Sequence, residues 1–133
     1  MKIRIGTRQS KLALWQTEHV KSELMRHHPG IEVEVIHINT KGDKILDVAL
    51  SKIGDKGLFT KELETALLEG QVDLAVHSLK DLETNMPKGL ALAAVSKRHD
   101  VNDVLIARKK GTTIDSLPEN GTVATGSLRR RSQ

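Results

Sequence analysis

Strand-like and helical segments alternate along the first 80 residues. Short apolar runs of the kind found in strands occur at residues 3–5, 31–38 and 73–79, and helical periodicity occurs at residues 11–27 and 58–70. The run at residues 73–79 is apolar at positions of both parities, as in a strand of a parallel sheet that is covered on both faces. The order β-α-β-α-β with helical crossovers predicts an α/β fold with a parallel sheet.

Local signals mark the ends of the first helix. Ser10 is a suitable N-cap for a helix that begins at Lys11, and Pro29-Gly30 ends it after about His27. The residues from Thr40 to Gly57 have no clear period and include three glycines, so we expect a long mobile loop there, which often has a function.

Further strands are expected in the remainder of the chain, at residues 90–95, 104–107 and 122–125. A helical turn is expected near Ile114, and Ser127 is placed to cap a last helix. We therefore predict most of a first α/β domain at residues 1–96, a crossing or hinge at residues 97–103, and the beginning of a second α/β domain at residues 104–133.

Composition excludes several classes of protein. The 133 residues contain no cysteine, so within them there is no disulfide, thiolate metal site or cysteine nucleophile. The six histidines show no metal-ligand spacing, and no metal is expected. No apolar run approaches the length of roughly 20 residues needed to cross a bilayer, and the first residues show no secretory signal. A cytoplasmic location is the expectation, and the net charge of +4 mildly favours anionic partners.

Three polar clusters follow predicted strands, at residues 7–10, 77–81 and 125–131. Ligands of open α/β sheets bind beyond the carboxyl ends of the strands, so these clusters are candidates for a site. They supply several cations and one carboxylate, namely Arg8, Lys80, Arg129, Arg130, Arg131 and Asp81. This set predicts a pocket for a polyanionic small molecule with one acid–base group.

Simpler interpretations fit the same residues. Arg8 also fits a surface position, and Ser10 a plain helix cap. Taken alone, Lys80-Asp81 is more typical of an exposed turn, and residues 129–131 are more typical of a solvated helix face or a nucleic-acid patch. A hydrolase triad of His77, Ser78 and Asp81 is rejected, because alternation places His77 and Ser78 on opposite faces of one strand.

Four motifs together resemble those of porphobilinogen deaminases, in the same order and at similar spacing. They are residues 6–16 (GTRQSKLALWQ), 56–64 (KGLFTKELE), 77–81 (HSLKD) and 127–130 (SLRR). The resemblance extends over essentially the whole chain. It implies a transferase of tetrapyrrole (heme) biosynthesis that joins four porphobilinogen molecules head to tail into hydroxymethylbilane and releases ammonia.

The resemblance also implies a fold and a cofactor. The family is similar to periplasmic binding proteins of type II, with two lobes and a small third domain. A dipyrromethane cofactor is held there by a cysteine thioether in the third domain. We further expect a monomer that acts on porphobilinogen, with no nucleic-acid or membrane partner.

Roles for individual residues follow from the resemblance. Asp81 and Arg8 match catalytic positions. Substrate binding is implied for Arg8, Ser10 and Phe59. Cofactor binding is implied for Lys80, Ser78, Thr125, Ser127, Arg129 and Arg130. Lys52 and Lys56 lie in the family's flexible loop. Arginine suits this site because it pairs with carboxylates bidentately, and each pyrrole bears an acetate and a propionate.

The chain departs from the family in length and in lacking the cofactor cysteine, and Gly126 stands where serine is commoner. We therefore expect these 133 residues to have no turnover alone. Two other functions remain open: a solute-binding module for a small anion, for which Asp81 is dispensable, and a nucleic-acid binder that uses residues 129–131, whose affinity falls steeply with salt.

Overall fold

The computed structural model describes residues 1–44 and 57–132. In the first part of the chain the elements are β1 (Lys2–Thr7), α1 (Lys11–His27), β2 (Glu32–His37), α2 (Lys41–Lys44), α3 (Lys61–Leu68) and β3 (Leu74–Ala75). A 3₁₀ turn follows at Leu79–Asp81, a second lies at Ile114–Ser116, and α4 spans Leu128–Ser132. The chain divides between Val95 and Ser96 into two compact units.

The sheet of the first unit is parallel and has the order β2-β1-β3. Ile5 of the central strand faces Val35 on one side and Leu74 on the other. Both neighbours run parallel to β1, and a helix lies in the chain between each pair of strands, as the β-α-β-α-β pattern predicted. The α/β class with a parallel sheet is therefore confirmed.

The core of this unit is small and aliphatic. Its buried apolar residues are Ile5, Ala13, Leu63, Ala66 and Val72. Gly6 allows β1 to lie close to Val72, since a Cβ at this position would come within 3.2 Å of Val72 Cγ2. The core therefore lies between β1, the helices α1 and α3, and the residue pair before β3.

Helix α1 begins and ends where the sequence predicted. The Ser10 hydroxyl accepts a hydrogen bond from the Ala13 amide at 3.3 Å, so Ser10 is the N-cap. Ala13 and Thr17 are buried, and the Thr17 hydroxyl donates to the Thr7 hydroxyl at 2.7 Å. This buried pair fixes the helix against the end of β1, directly before Arg8.

Two elements are shorter than predicted. The ladder of β3 ends near Val76, whose amide donates to the Gly6 carbonyl, because β1 ends at Thr7 and the next residues of the chain turn into α1. Residues 79–81 therefore form a 3₁₀ turn rather than the end of a strand. Helix α3 begins at Lys61 rather than Leu58, since residues 57–60 form a turn closed by the Thr60 amide on the Gly57 carbonyl.

The expected loop at residues 40–57 is wrong at its start. Lys41–Lys44 is a short helix, α2, because the Gly42 amide donates to the Leu58 carbonyl and the Lys41 amide to Glu62 Oε1. Residues 45–56, with Lys52 and Lys56, lie outside the described residues.

The strands predicted at residues 90–95, 104–107 and 122–125 do not form. A strand needs a neighbour for its backbone hydrogen bonds and a cover for its apolar side chains. Within residues 57–132 these segments have neither, and Val95, Val104 and Val123 are 60 to 83% exposed. The helical turn near Ile114 and the last helix are confirmed, and the Ser127 hydroxyl accepts from the Arg130 amide at 3.3 Å.

No helix among the described residues is long and apolar enough to cross a membrane.

Candidate functional site

Two of the three predicted clusters meet in the first unit. Arg8 follows β1, and residues 76–81 follow the ladder of β3, so both lie at the same edge of the parallel sheet. They line a cavity of about 90 Å³ together with the first turns of α1. The predicted site residues in its wall are Arg8, Ser10, Ser78, Lys80 and Asp81.

The Arg8 guanidinium is held on three sides. Its Nε and Nη2 donate to the Asp43 carboxylate at distances between 2.6 and 3.2 Å, which is a bidentate pair. Its Nη1 lies 3.6 Å from Asp81 Oδ2. Its carbon Cζ lies 4.1 Å from the centre of the Phe59 ring, a cation–π contact. With 16% of its side chain exposed, Arg8 is ordered and largely withdrawn from water.

Asp43 was missed by the sequence analysis, although it is the main partner of Arg8. The Thr40 hydroxyl donates to Asp43 Oδ2 at 2.7 Å, and Thr40 is fully buried. The pKa of the Asp43 carboxyl lies below its usual value, and the hydrogen bonds from Arg8 are the largest cause. Burial opposes this shift, and the hydrogen bond from Thr40 lowers the pKa further. The available signal was local: Thr40-Lys41-Gly42-Asp43 places a hydroxyl, a glycine and a carboxylate within one turn.

Asp81 lies between two cations. Lys80 Nζ donates to its Oδ1 at 2.8 Å, and Arg8 approaches its Oδ2. The Asp81 side chain is 15% exposed, whereas that of Lys80 is 76% exposed. The carboxylate is therefore partly desolvated, while the lysine ammonium remains accessible to an anion from solvent.

Polar groups complete the wall of the cavity. The Ser78 hydroxyl accepts from the Gln16 amide nitrogen at 3.0 Å and donates to its oxygen at 3.1 Å, a pairing that the sequence analysis did not anticipate. His77 is half-buried. Burial is the main cause that lowers its pKa below the ordinary value of 6.5, and the nearby Asp81 carboxylate opposes this.

The third cluster belongs to the second unit. Arg129 and Arg130 donate to the Asp103 carboxylate, with closest distances of 3.0 and 2.6 Å. Arg130, then Arg129, lowers the pKa of Asp103 to about 2. The Thr125 hydroxyl accepts from the Ser127 amide at 3.1 Å. These residues thus form one local cluster around Asp103, which was also missed.

Within residues 1–44 and 57–132, no group of three or more histidine, aspartate or glutamate side chains is placed to hold a metal ion. The site as described is one of cations, hydroxyls and a single partly desolvated carboxylate in the cavity wall.

A parallel α/β sheet with a polar, charged cavity at the carboxyl ends of its strands has the usual architecture of a small-molecule-binding domain. The family profile described as "Porphobilinogen deaminase, dipyromethane cofactor binding domain" matches residues 3–133. The chain belongs to the porphobilinogen deaminase family, transferases of tetrapyrrole synthesis.

Curated relatives agree with this assignment. The porphobilinogen deaminase of Chloroherpeton thalassium is 57% identical over 129 residues, which are 97% of this chain and 41% of the relative. That of Aliarcobacter butzleri is 57% identical over 130 residues, 98% of this chain and 41% of the relative. That of Geobacter sulfurreducens is 51% identical over 132 residues, 99% of this chain and 41% of the relative. The chain therefore spans about two-fifths of the length of these relatives.

Proposed function

We propose that the protein carrying this chain joins porphobilinogen molecules head to tail into hydroxymethylbilane and releases ammonia. The observation that carries the proposal is the position of Asp81: a partly desolvated carboxylate in a cavity wall, with Lys80 and Arg8 each beside one of its oxygens. This arrangement suits a reaction in which positive charge develops on a ring whose substituents are anionic.

Asp81 is the group proposed to act on the reacting pyrrole. When porphobilinogen loses ammonia, its aminomethyl C–N bond breaks, and the pyrrole becomes cationic and electron-poor. A fixed carboxylate near the pyrrole N–H stabilises that charge as it develops and can accept or return a proton. The new C–C bond forms at the free position of the next pyrrole, which loses a proton to complete the substitution.

Binding of the substrate carboxylates is proposed for the neighbouring side chains. Arg8 and Ser10 line the same cavity as Asp81, and Phe59 carries the guanidinium of Arg8 on its ring. An arginine that is already ordered loses little side-chain entropy when an acetate or propionate binds, so its position favours affinity.

The donor groups fit a dipyrromethane cofactor, which bears four carboxylates. Binding of such carboxylates is proposed for six residues through their ammonium, hydroxyl and guanidinium groups, namely Lys80, Ser78, Thr125, Ser127, Arg129 and Arg130. When bound, the cofactor supplies the primer to which substrate units are added. These 133 residues contain no cysteine, so a thioether anchor must come from another part of the protein.

Several finer expectations belong to the same proposal. They are a two-lobed fold of the periplasmic-binding-protein type, a hinge at residues 97–103, a monomeric state and a cytoplasmic location. The family profile, which is named for cofactor binding, supports a cofactor-bearing enzyme of this kind.

The decisive experiment measures ammonia release and hydroxymethylbilane formation from porphobilinogen by the purified natural protein that carries this chain. Asp81→Asn should lower turnover at least about 100-fold, since general acid–base and charge stabilisation are lost together. Asp115→Asn is the matched control. Asp115 also lies in a 3₁₀ turn, but its side chain is exposed. Turnover by Asp81→Asn equal to that of the control would refute the proposed role.

The same assay distinguishes the other two functions. A solute-binding module would bind a small carboxylate reversibly and release no ammonia. A nucleic-acid binder would show affinity for DNA or RNA that falls steeply with salt concentration.

A further inference from the structure

We propose that Asp43 is a positioning residue that keeps Arg8 from pairing fully with Asp81. The inference rests on the proposed function, because it assigns to Asp43 the task of keeping the Asp81 carboxylate available for the substrate. It is carried by the geometry of the three side chains, which the sequence motifs did not connect.

Arg8 lies between two carboxylates that are held at different distances. Asp43 receives Nε and Nη2 in a bidentate pair with a closest distance of 2.6 Å. Asp81 receives only Nη1, at 3.6 Å, which is beyond ordinary hydrogen-bond length. The stronger bond therefore goes to Asp43, and Asp81 is left with a nearby positive charge but without a bidentate partner.

Asp43 is itself held in place by Thr40. The buried Thr40 hydroxyl binds its Oδ2, and its own amide donates back to Thr40. Arg8 and Asp81 line the cavity, whereas Asp43 is not in its wall. Asp43 thus holds Arg8 without itself lining the cavity.

Removal of the Asp43 charge should change which carboxylate pairs with the Arg8 guanidinium. Arginine and carboxylate pair most strongly in the bidentate geometry. Among the described residues, Asp81 is the other carboxylate that forms an ion pair with Arg8. Without Asp43, the guanidinium would close on Asp81, which would engage both the proposed acid–base group and the proposed substrate-binding cation.

The test uses Asp43→Asn in the purified natural protein that carries this chain, with porphobilinogen as substrate. We expect kcat to fall about 10- to 100-fold, because misplacement of an active-site group by about 1 Å can cost up to about 100-fold in rate. The matched control is Asp73→Asn, because Asp73 accepts from Nε and Nη2 of Arg4 in the same bidentate geometry, away from the cavity. The control should leave kcat within about twofold, as surface pairs of this kind contribute little.

Two readouts separate positioning from simple support of the fold. In a crystal structure of Asp43→Asn, an Arg8 nitrogen should lie within hydrogen-bond distance of Asp81, and an unchanged separation would overturn the proposal. In an Arg8→Lys background, Asp43→Asn should lower kcat by less than about twofold, because the two residues act together. Additive losses would show that Asp43 acts independently of Arg8.

Thr40→Val keeps all three charges and the shape of the buried side chain, so it tests the inference even where Asp43→Asn fails to fold. Loss of the hydrogen bonds that this hydroxyl makes to the Asp43 carboxylate and accepts from the Asp43 amide should lower kcat about 3- to 10-fold. An unchanged kcat would contradict the proposal. Failure of the proposed function looks different, since the unaltered protein would then form no hydroxymethylbilane. If the unaltered protein is active and the kcat of Asp43→Asn equals that of Asp73→Asn, the inference is refuted but the proposed function is not.

Discussion

Gly42 lies against the ring of Phe59, and that ring in turn carries the guanidinium of Arg8. A Cβ at Gly42 would overlap two ring carbons of Phe59 and come close to the Leu58 carbonyl. The proposed roles of Arg8 and Asp43 therefore depend on a residue that has no side chain. At this scale the site is a set of contacts between residues that are distant in the sequence.

Gly42→Ala should displace Phe59 and loosen the guanidinium of Arg8. Insertion of a methyl group into a packed contact costs about 1 to 3 kcal/mol of stability, which urea denaturation would measure. Gly126→Ala is the control, because a Cβ at Gly126 meets no atom within 4 Å. Equal midpoints for the two variants would show that the Gly42 contact contributes nothing.

His77 should make stability depend on pH. Burial lowers its pKa in the folded state below the ordinary value of 6.5, so the unfolded chain binds the proton first as the pH falls. Its contribution to stability is therefore complete above about pH 6.5 and is lost as the pH falls through that value towards the folded pKa.

The measurement is the free energy of unfolding between pH 7.5 and pH 5, with His77→Gln compared with His28→Gln, whose side chain is exposed. We expect His77→Gln to flatten the decline below about pH 6.5 and His28→Gln to leave it unchanged. An identical decline in both variants would contradict the assignment to His77.

At the scale of the elements, the reliable predictions were those with local causes. The N-cap at Ser10 and the Pro29-Gly30 stop determined α1, and alternation determined β1 and β2. The strands expected at residues 90–95, 104–107 and 122–125 depend on a neighbouring strand, which no local pattern supplies. The same reason explains the site: Arg8 and Asp81 were found from strand ends, whereas Asp43, 35 residues from Arg8, was not.

Ser10 has two proposed tasks, as the cap of α1 and as a ligand for substrate carboxylate, and two variants separate them. Ser10→Ala should lower stability by about 1 kcal/mol, because the Ala13 amide loses its acceptor. Ser10→Asp should keep the cap and the stability but place a negative charge in the cavity wall, so binding of porphobilinogen should weaken. Tight substrate binding by Ser10→Asp would remove Ser10 from the site.

At the scale of the whole molecule, the first unit holds the buried residues and the sheet. The buried apolar and polar residues of the described chain all lie at or before position 72. The described residues from Ser96 onward are largely exposed, with few backbone hydrogen bonds outside the two short helical segments. Resistance to local opening follows buried contacts and protected hydrogen bonds, so the two units should differ in stability.

Hydrogen exchange followed by mass spectrometry on the 133-residue chain should show this difference. Peptides from β1 and α1 should remain protected for minutes or longer, whereas peptides from residues 96–112 should exchange within seconds. Equal protection in the two regions would mean that the second unit is ordered by contacts outside those described.

The central position of β1 also affects how the chain folds during translation. The strand leaves the ribosome before both of its neighbours, and one of them, β3, begins 69 residues after Ile5. At about 5 to 20 residues per second, β1 waits roughly 3 to 14 seconds before its second edge can be paired. During translation the nascent chain therefore exposes an open edge of its most buried strand, which is the interval in which a chaperone would have most to protect.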